Sequence, residues 1–74
     1  MDKHDLAKKI SQHSQARVRK WVSRDQFELD TGILYQISPS DDAKNPGGWK
    51  VSATQPDGST GKTLILNQQG EIKN

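Results

Sequence analysis

The sequence contains no cysteine and no long run of apolar residues. The absence of cysteine excludes a disulfide framework, a thiolate nucleophile and a thiolate metal site. No stretch approaches the roughly 20 apolar residues of a membrane-spanning helix. The N-terminal Met-Asp-Lys-His-Asp-Leu also lacks the apolar stretch of a signal peptide. We therefore expect a cytoplasmic protein that does not bind a membrane.

Apolar residues are also scarce. The 74 residues include two tryptophans, one tyrosine and one phenylalanine, and hydrophobic residues make up 30% of the chain. A chain of this length buries only about 60% of its unfolded surface, so its core must be small. The apolar residues nevertheless fall in periodic clusters, which is typical of a folded chain and not of a disordered one. We predict one small domain over residues 1–74.

Charge is distributed unevenly along the chain. Residues 1–24 carry seven basic and two acidic side chains, for a net charge of +5. Residues 25–74 carry four basic and seven acidic side chains, for a net charge of −3. A basic end of this kind can attract a polyanionic partner. Alternatively, the two oppositely charged parts attract each other within the fold.

Residues 1–24 contain neither glycine nor proline, and their apolar positions repeat with a helical period. At about 100° per residue these positions occupy an arc of about 160°. They are Leu6, Ala7, Ile10, Val18, Trp21 and Val22. The pattern predicts a basic amphipathic helix over residues 1–24. The polar segment 11–15 is made of mediocre helix formers, which leaves a second interpretation, in which the helix ends there and residues 16–23 form a strand.

Residues 25–74 have an apolar period of two and are rich in hairpin signals. The four predicted strands lie at 27–29, 33–37, 49–53 and 63–67. Asp30-Thr31-Gly32 and Pro56-Asp57-Gly58 are turn sequences, and residues 38–48 form a long loop. These connections are too short for parallel crossovers. We predict an α+β fold with one N-terminal amphipathic helix packed on a small, mostly antiparallel sheet of about four strands.

No motif for catalysis or cofactor binding meets its physical requirements. The segment 56–63 differs from a phosphate-binding loop only at its first residue, but such a loop must lead into a helix, and here a short strand follows. His4 and His13 lie nine residues apart without a third metal ligand nearby. No serine stands in a nucleophile-elbow pattern. We therefore predict a protein that is not an enzyme and that binds neither a metal nor a cofactor.

The basic residues of the predicted helix form the first candidate surface. Lys8, Lys9, Arg19 and Lys20 fall on the side opposite the apolar arc. Such a stripe can neutralise nucleic-acid phosphates, with a strong dependence on salt and little dependence on base sequence. Nucleic-acid binding is therefore one predicted function, and a solvated helix face is the simpler alternative.

The second candidate surface is apolar. If Tyr35 and the strand residues that alternate with it face the helix, Leu34 and Ile65 must point to the other side of the sheet. Trp49, at the end of the long loop, is a large rigid residue of the kind enriched in interface hot spots. We predict that Leu34 and Ile65 form an apolar patch for an unknown protein partner or for a second copy of the chain in a homodimer, and that Trp49 offers further contact surface. Alternatively, the two aliphatic residues are isolated on the surface and Trp49 belongs to the core. The preferred prediction is a small non-catalytic binding or regulatory protein, with nucleic-acid binding as the alternative.

Overall fold

The computed structural model describes residues 2–73, which form one helix and six strands. The elements are α1 (Lys3–His13), β1 (Val18–Ser23), β2 (Gln26–Leu29), β3 (Leu34–Pro39), β4 (Trp49–Thr54), β5 (Thr60–Leu66) and β6 (Ile72–Lys73). The strands follow one another in a single antiparallel sheet in the order β1-β2-β3-β4-β5-β6. The predicted α+β class and antiparallel sheet are confirmed. The sheet is larger than expected, because β1 and β6 add a strand at each edge.

The helix is shorter than the predicted span of residues 1–24. It begins after Asp2, whose Oδ1 accepts a hydrogen bond from the Asp5 N–H at 2.9 Å, and it ends at His13. Ser14 caps the C-terminal end, and Gln15 has a positive φ of 54°, which turns the chain away from the helix axis. The polar segment therefore ends the helix, and a strand follows, as in the second interpretation of the sequence.

The geometry of β1 explains why its apolar residues resemble a helix face. Val18 lies opposite Leu29 and Trp21 lies opposite Phe27. Phe27 and Leu29 are two residues apart and both fully buried, so Val18 and Trp21 share one side of the sheet although they are three residues apart. A β-bulge between Val18 and Lys20 accommodates the extra residue. A spacing of three residues is also that of a helix face, so a bulged strand and a helix produce the same sequence pattern.

The core lies between α1 and one face of the sheet. Its buried hydrophobic residues are Leu6, Ala7 and Ile10 from the helix, and Phe27, Leu29, Tyr35, Ile37, Val51, Ala53 and Leu66 from the strands. Lys3 forms an ion pair with Asp25, which joins the start of the helix to the turn between β1 and β2. One short helix thus covers the sheet on the side where the buried strand residues alternate.

The loop between β3 and β4 is held against the sheet. The Ser40 N–H donates to the Gly48 carbonyl oxygen at 2.9 Å, which closes the loop at its base. Asn45 is buried, with 6% of its surface exposed, and its Nδ2 donates to the Leu66 carbonyl oxygen at 2.9 Å. The loop predicted over residues 38–48 is therefore present, begins after Pro39, and has an anchor on β5.

Candidate functional site

The three apolar residues of the predicted partner surface lie on two different faces of the sheet. Trp49 pairs with Pro39 and Leu66 and packs half-buried against the core on the helix side. Leu34 and Ile65 lie on the other face and are also half-buried. The structure therefore does not bring Trp49 together with the other two residues.

Leu34 and Ile65 share a face but do not form one patch. Leu34 pairs with Thr54 on one side of β4, and Ile65 pairs with Lys50 on its other side. Thr54 and Lys50 are four residues apart, which corresponds to about 13 Å along the strand. The polar residue Ser52 lies between these two positions on the same face of β4. The register thus separates the two aliphatic side chains.

The four basic residues of the predicted stripe are divided between two elements. Lys8 and Lys9 are exposed on α1, whereas Arg19 and Lys20 are exposed on β1. The Arg19 guanidinium lies 3.4 Å from a Glu28 carboxylate oxygen, and its Nη2 donates to the Asp30 carbonyl oxygen at 3.0 Å. The continuous stripe does not form, because the helix that would carry it ends at His13.

A groove runs between α1 and β1, at one edge of the sheet. We call it the α1–β1 groove, and it has a volume of about 520 Å³. Its lining residues are His4, Ala7, Lys8, Ser11, Gln12, Ala16, Arg17, Val18 and Trp21. Ala7 and Ser11 are buried at its base, and the Ser11 hydroxyl donates to the Lys8 carbonyl oxygen at 2.8 Å. The base of the groove is therefore formed by two small, buried side chains, and the hydroxyl of Ser11 already has a hydrogen-bond partner.

Trp21 forms a firm wall of the groove. Its ring lies between His4, at 4.7 Å between ring centroids, and Phe27, at 5.3 Å. Phe27 stacks in turn on Tyr35, with 5.4 Å between their centroids. Aromatic pairs at these distances add to the free energy gained from burial. The half-buried Trp21 ring is thus held in place by the core behind it and presents an apolar surface to the groove.

The open edge of β1 borders the same groove. On β2, the Leu29 N–H donates to Ile33 on the β3 side, and the Asp30 N–H donates to Arg17 on the β1 side. Because backbone groups alternate along a strand, Leu29 and Phe27 bond toward β3 and make no backbone hydrogen bonds to β1. The opposite residues, Val18 and Trp21, therefore direct their N–H and C=O groups away from β2. Within residues 2–73, no strand lies on that side of β1.

The basic side chains around the groove differ in their surroundings. The ion pairs among residues 2–73 are Lys3 with Asp25 and Arg19 with Glu28. Lys8 and Arg17, which border the groove, take part in neither of them and are exposed. The groove thus has an apolar base and wall, an open strand edge and a cationic rim.

A second depression lies at the other end of the helix. It has a volume of about 670 Å³ and is lined by His13, Ser14, Tyr35, Lys62, Thr63, Leu64, Ile65, Ile72 and Lys73. Its lining residues include parts of β5 and β6, so it lies at the edge of the sheet opposite β1.

Neither a metal site, nor a membrane-spanning helix, nor a similar protein indicates a function for the described residues. Among residues 2–73, no group of three or more His, Asp or Glu side chains is placed to hold a metal ion. The helix in that part of the chain is not long and apolar enough to span a membrane. Comparison with protein-family models, curated proteins and solved structures found no significant match.

The sequence interpretation missed the groove as a site. Among its lining residues, only Lys8 belonged to a predicted surface, while Trp21 and Val18 were assigned to the core-facing side of a longer helix. The signal that could have found it was the polar segment 11–15, which separates two apolar clusters. Once that segment is taken as the end of a helix, Val18 and Trp21 belong to a strand beside it.

Proposed function

We propose that this chain is a small non-catalytic protein that regulates or assembles with another protein through direct contact. The observation that supports this proposal is the open backbone edge of β1 beside the α1–β1 groove. An exposed strand edge offers unpaired N–H and C=O groups, and protein partners use such edges by adding a strand of their own. The groove places Trp21, a residue type enriched in interface hot spots, next to that edge.

Nucleic-acid binding through Lys8, Lys9, Arg19 and Lys20 has weaker support. A phosphate backbone is bound by several basic groups aligned along it. Here the Arg19 guanidinium is paired with Glu28, and the Asp30 carbonyl accepts from it as well. One of the four basic groups is therefore already bound within the fold. The cytoplasmic location expected from the sequence stays a prediction.

The proposed function can be tested by selecting peptides that bind the purified chain from a random displayed library. Selected peptides should bind the double variant Leu34→Ala, Ile65→Ala as well as the parent chain, and should lose binding to a chain altered at β1. Loss of binding in the Leu34→Ala, Ile65→Ala variant alone would move the contact surface to the opposite face. Failure to enrich any peptide, together with salt-sensitive binding of generic duplex DNA, would overturn the proposal in favour of nucleic-acid binding.

A further inference from the structure

We propose that the α1–β1 groove binds an extended acidic peptide segment, which pairs with β1 as an additional strand. This inference rests on the proposed function and names the chemical class of the partner and the way it binds. Three features support it: the direction of the backbone groups of β1, the apolar base of the groove, and the cations on its rim.

The backbone of β1 has the spacing that an added strand requires. Val18 and Trp21 are three residues apart, but the bulge brings them opposite Leu29 and Phe27, which are two residues apart on a regular strand. An incoming regular strand can therefore match Val18 and Trp21 with two residues at positions i and i+2 on its own chain. The second bulge, between Trp21 and Ser23, limits the pairing to a short segment and prevents open-ended stacking of strands.

The side chains that line the groove determine which residue types the added strand should contain. Residues paired with Val18 and Trp21 would point to the helix side, because partners in a sheet share a face. There they meet Ala7 at the base of the groove and the ring of Trp21. This favours apolar side chains at positions i and i+2. The residues between and beside them point to the other face, where Lys20 is exposed.

The charge around the groove favours an acidic segment. Lys8 and Arg17 border the groove, and Lys20 lies on the adjacent exposed side of β1. None of the three takes part in an ion pair within residues 2–73. Carboxylates beside the apolar positions of a bound segment point away from the helix, so they would meet Arg17 and Lys20, whose side chains have no carboxylate partner in the described structure.

The same charges disfavour a second copy of the chain as the occupant. If two β1 strands paired edge to edge, their basic side chains at Arg17, Arg19 and Lys20 would come close together. Like charges on paired strands are destabilising. A nucleic acid is disfavoured for a different reason, because its bulk would extend over Glu28 on β2 and over Asp30, which directly follows β2. A narrow peptide strand avoids both conflicts.

The test uses two capped peptides of five residues, one alternating glutamate with valine and one alternating lysine with valine. Each is added to the full chain labelled with ¹⁵N, and amide chemical shifts and hydrogen exchange are followed by NMR. The acidic peptide should bind about tenfold more tightly than the basic one. Binding should slow the exchange of the Val18 and Trp21 amides, because these N–H groups would gain acceptors. Amides of β6, at the other edge, should not change.

Two modifications test the backbone pairing. Val18→Pro removes the outward N–H, which β1–β2 pairing does not use, and should weaken binding roughly tenfold. Val18→Ala keeps the N–H and is the matched control for the lost side chain. A peptide in which the amide N–H of one valine is replaced by an ester oxygen removes a hydrogen bond to β1 while the protein chain stays unaltered, so the result does not depend on how Val18→Pro folds.

Removal of positive charge tests the cations beside β1. Arg17→Gln combined with Lys20→Gln should abolish the preference, so that the two peptides bind equally. Lys44→Gln combined with Lys62→Gln makes the same change in net charge, in the loop between β3 and β4 and on β5, and should leave the preference unchanged.

The outcomes separate this inference from the proposed function. Equal binding of both peptides at the groove, or groove binding only by neutral peptides from the library, would overturn the acidic partner and leave the function in place. If no peptide binds at the groove, the inference fails, and the proposed function also fails unless library peptides bind the opposite face, which the Leu34→Ala, Ile65→Ala variant would reveal. Concentration-dependent dimers abolished by Val18→Pro would identify a second copy as the occupant, and salt-sensitive DNA binding abolished by the Arg17 and Lys20 changes would identify a nucleic acid. Either result overturns the inference.

Discussion

The side-chain amide of Asn45 donates a hydrogen bond to the main-chain carbonyl of Leu66 at 2.9 Å, across 21 residues of sequence. Both residues are buried, so neither group is in contact with bulk water. The bond connects the middle of the loop between β3 and β4 to the end of β5. Gly48 approaches the same Asn45 side chain and the Leu66 carbonyl so closely that a β-carbon there would collide with both.

Replacing Asn45 with alanine should lower the free energy of unfolding by about 1–3 kcal/mol. The physical reason is that the buried Leu66 carbonyl would lose its partner. Unfolding in urea, followed by tryptophan fluorescence, measures the change. Asp41→Ala, at an exposed position of the same loop, is the control and should change the stability by less than about 0.5 kcal/mol. An equal loss in both variants would mean that the Asn45 bond does not anchor the loop.

Replacing Ile10 with alanine should cost about 2–4 kcal/mol, because Ile10 is fully buried between α1 and the sheet. Lys9→Ala changes the neighbouring exposed residue and should be neutral within about 0.5 kcal/mol. Circular dichroism during urea unfolding gives both values. A small effect at Ile10 would contradict the placement of the helix on this face of the sheet.

The pKa of Asp57, measured by acid titration, should report the hydrogen bonds within the turn between β4 and β5. The Asp57 carboxylate accepts hydrogen bonds from the Ser59 hydroxyl at 2.6 Å and from the Ser59 N–H at 2.9 Å, and these bonds lower the pKa of Asp57. Because the folded pKa lies below the unfolded one, this contribution to stability is complete above the unfolded pKa and is lost as the pH falls through the folded pKa.

Ser59→Ala should raise the Asp57 pKa toward its ordinary value, since the hydroxyl donor is lost and only the main-chain donor remains. Ser59→Thr keeps a hydroxyl and should retain the lowered pKa. Carboxyl carbon shifts measured by NMR across the acidic range give the pKa directly. An unchanged value in Ser59→Ala would show that the hydroxyl does not bind the carboxylate in solution.

Leu34→Ala and Ile65→Ala should have additive effects on stability, within about 0.5 kcal/mol of the sum. The reason is their separation, since they pair with opposite ends of β4 and share no partner. Thermal or urea unfolding of the two single variants and the double variant measures the coupling. A coupling well above this limit would mean that the two side chains touch, and that the outer face carries a continuous apolar patch after all.

Much of the sheet was predictable because its signals are local. Apolar and polar residues alternate along β2 and β4, and along β3 and β5 apart from Leu34 and Ile65. The turn between β2 and β3 has a glycine with a positive φ at Gly32, as its Asp-Thr-Gly sequence predicts. The outward direction of Leu34 follows from the same alternation. What alternation could not give was the distance between Leu34 and Ile65, because that depends on the register between strands and not on the pattern within one.

The sequence by itself determined the fold class, the antiparallel sheet and the position of the long loop, since periodicity and turn residues act over a few neighbouring positions. Only the tertiary structure decided that residues 18–23 form an edge strand, because a bulged strand and a helix both place apolar residues three apart. The α1–β1 groove forms only because these residues are a strand and not a continuation of the helix. It exists because the chain turns after His13, which lays Val18 and Trp21 beside the helix that their spacing alone would have extended.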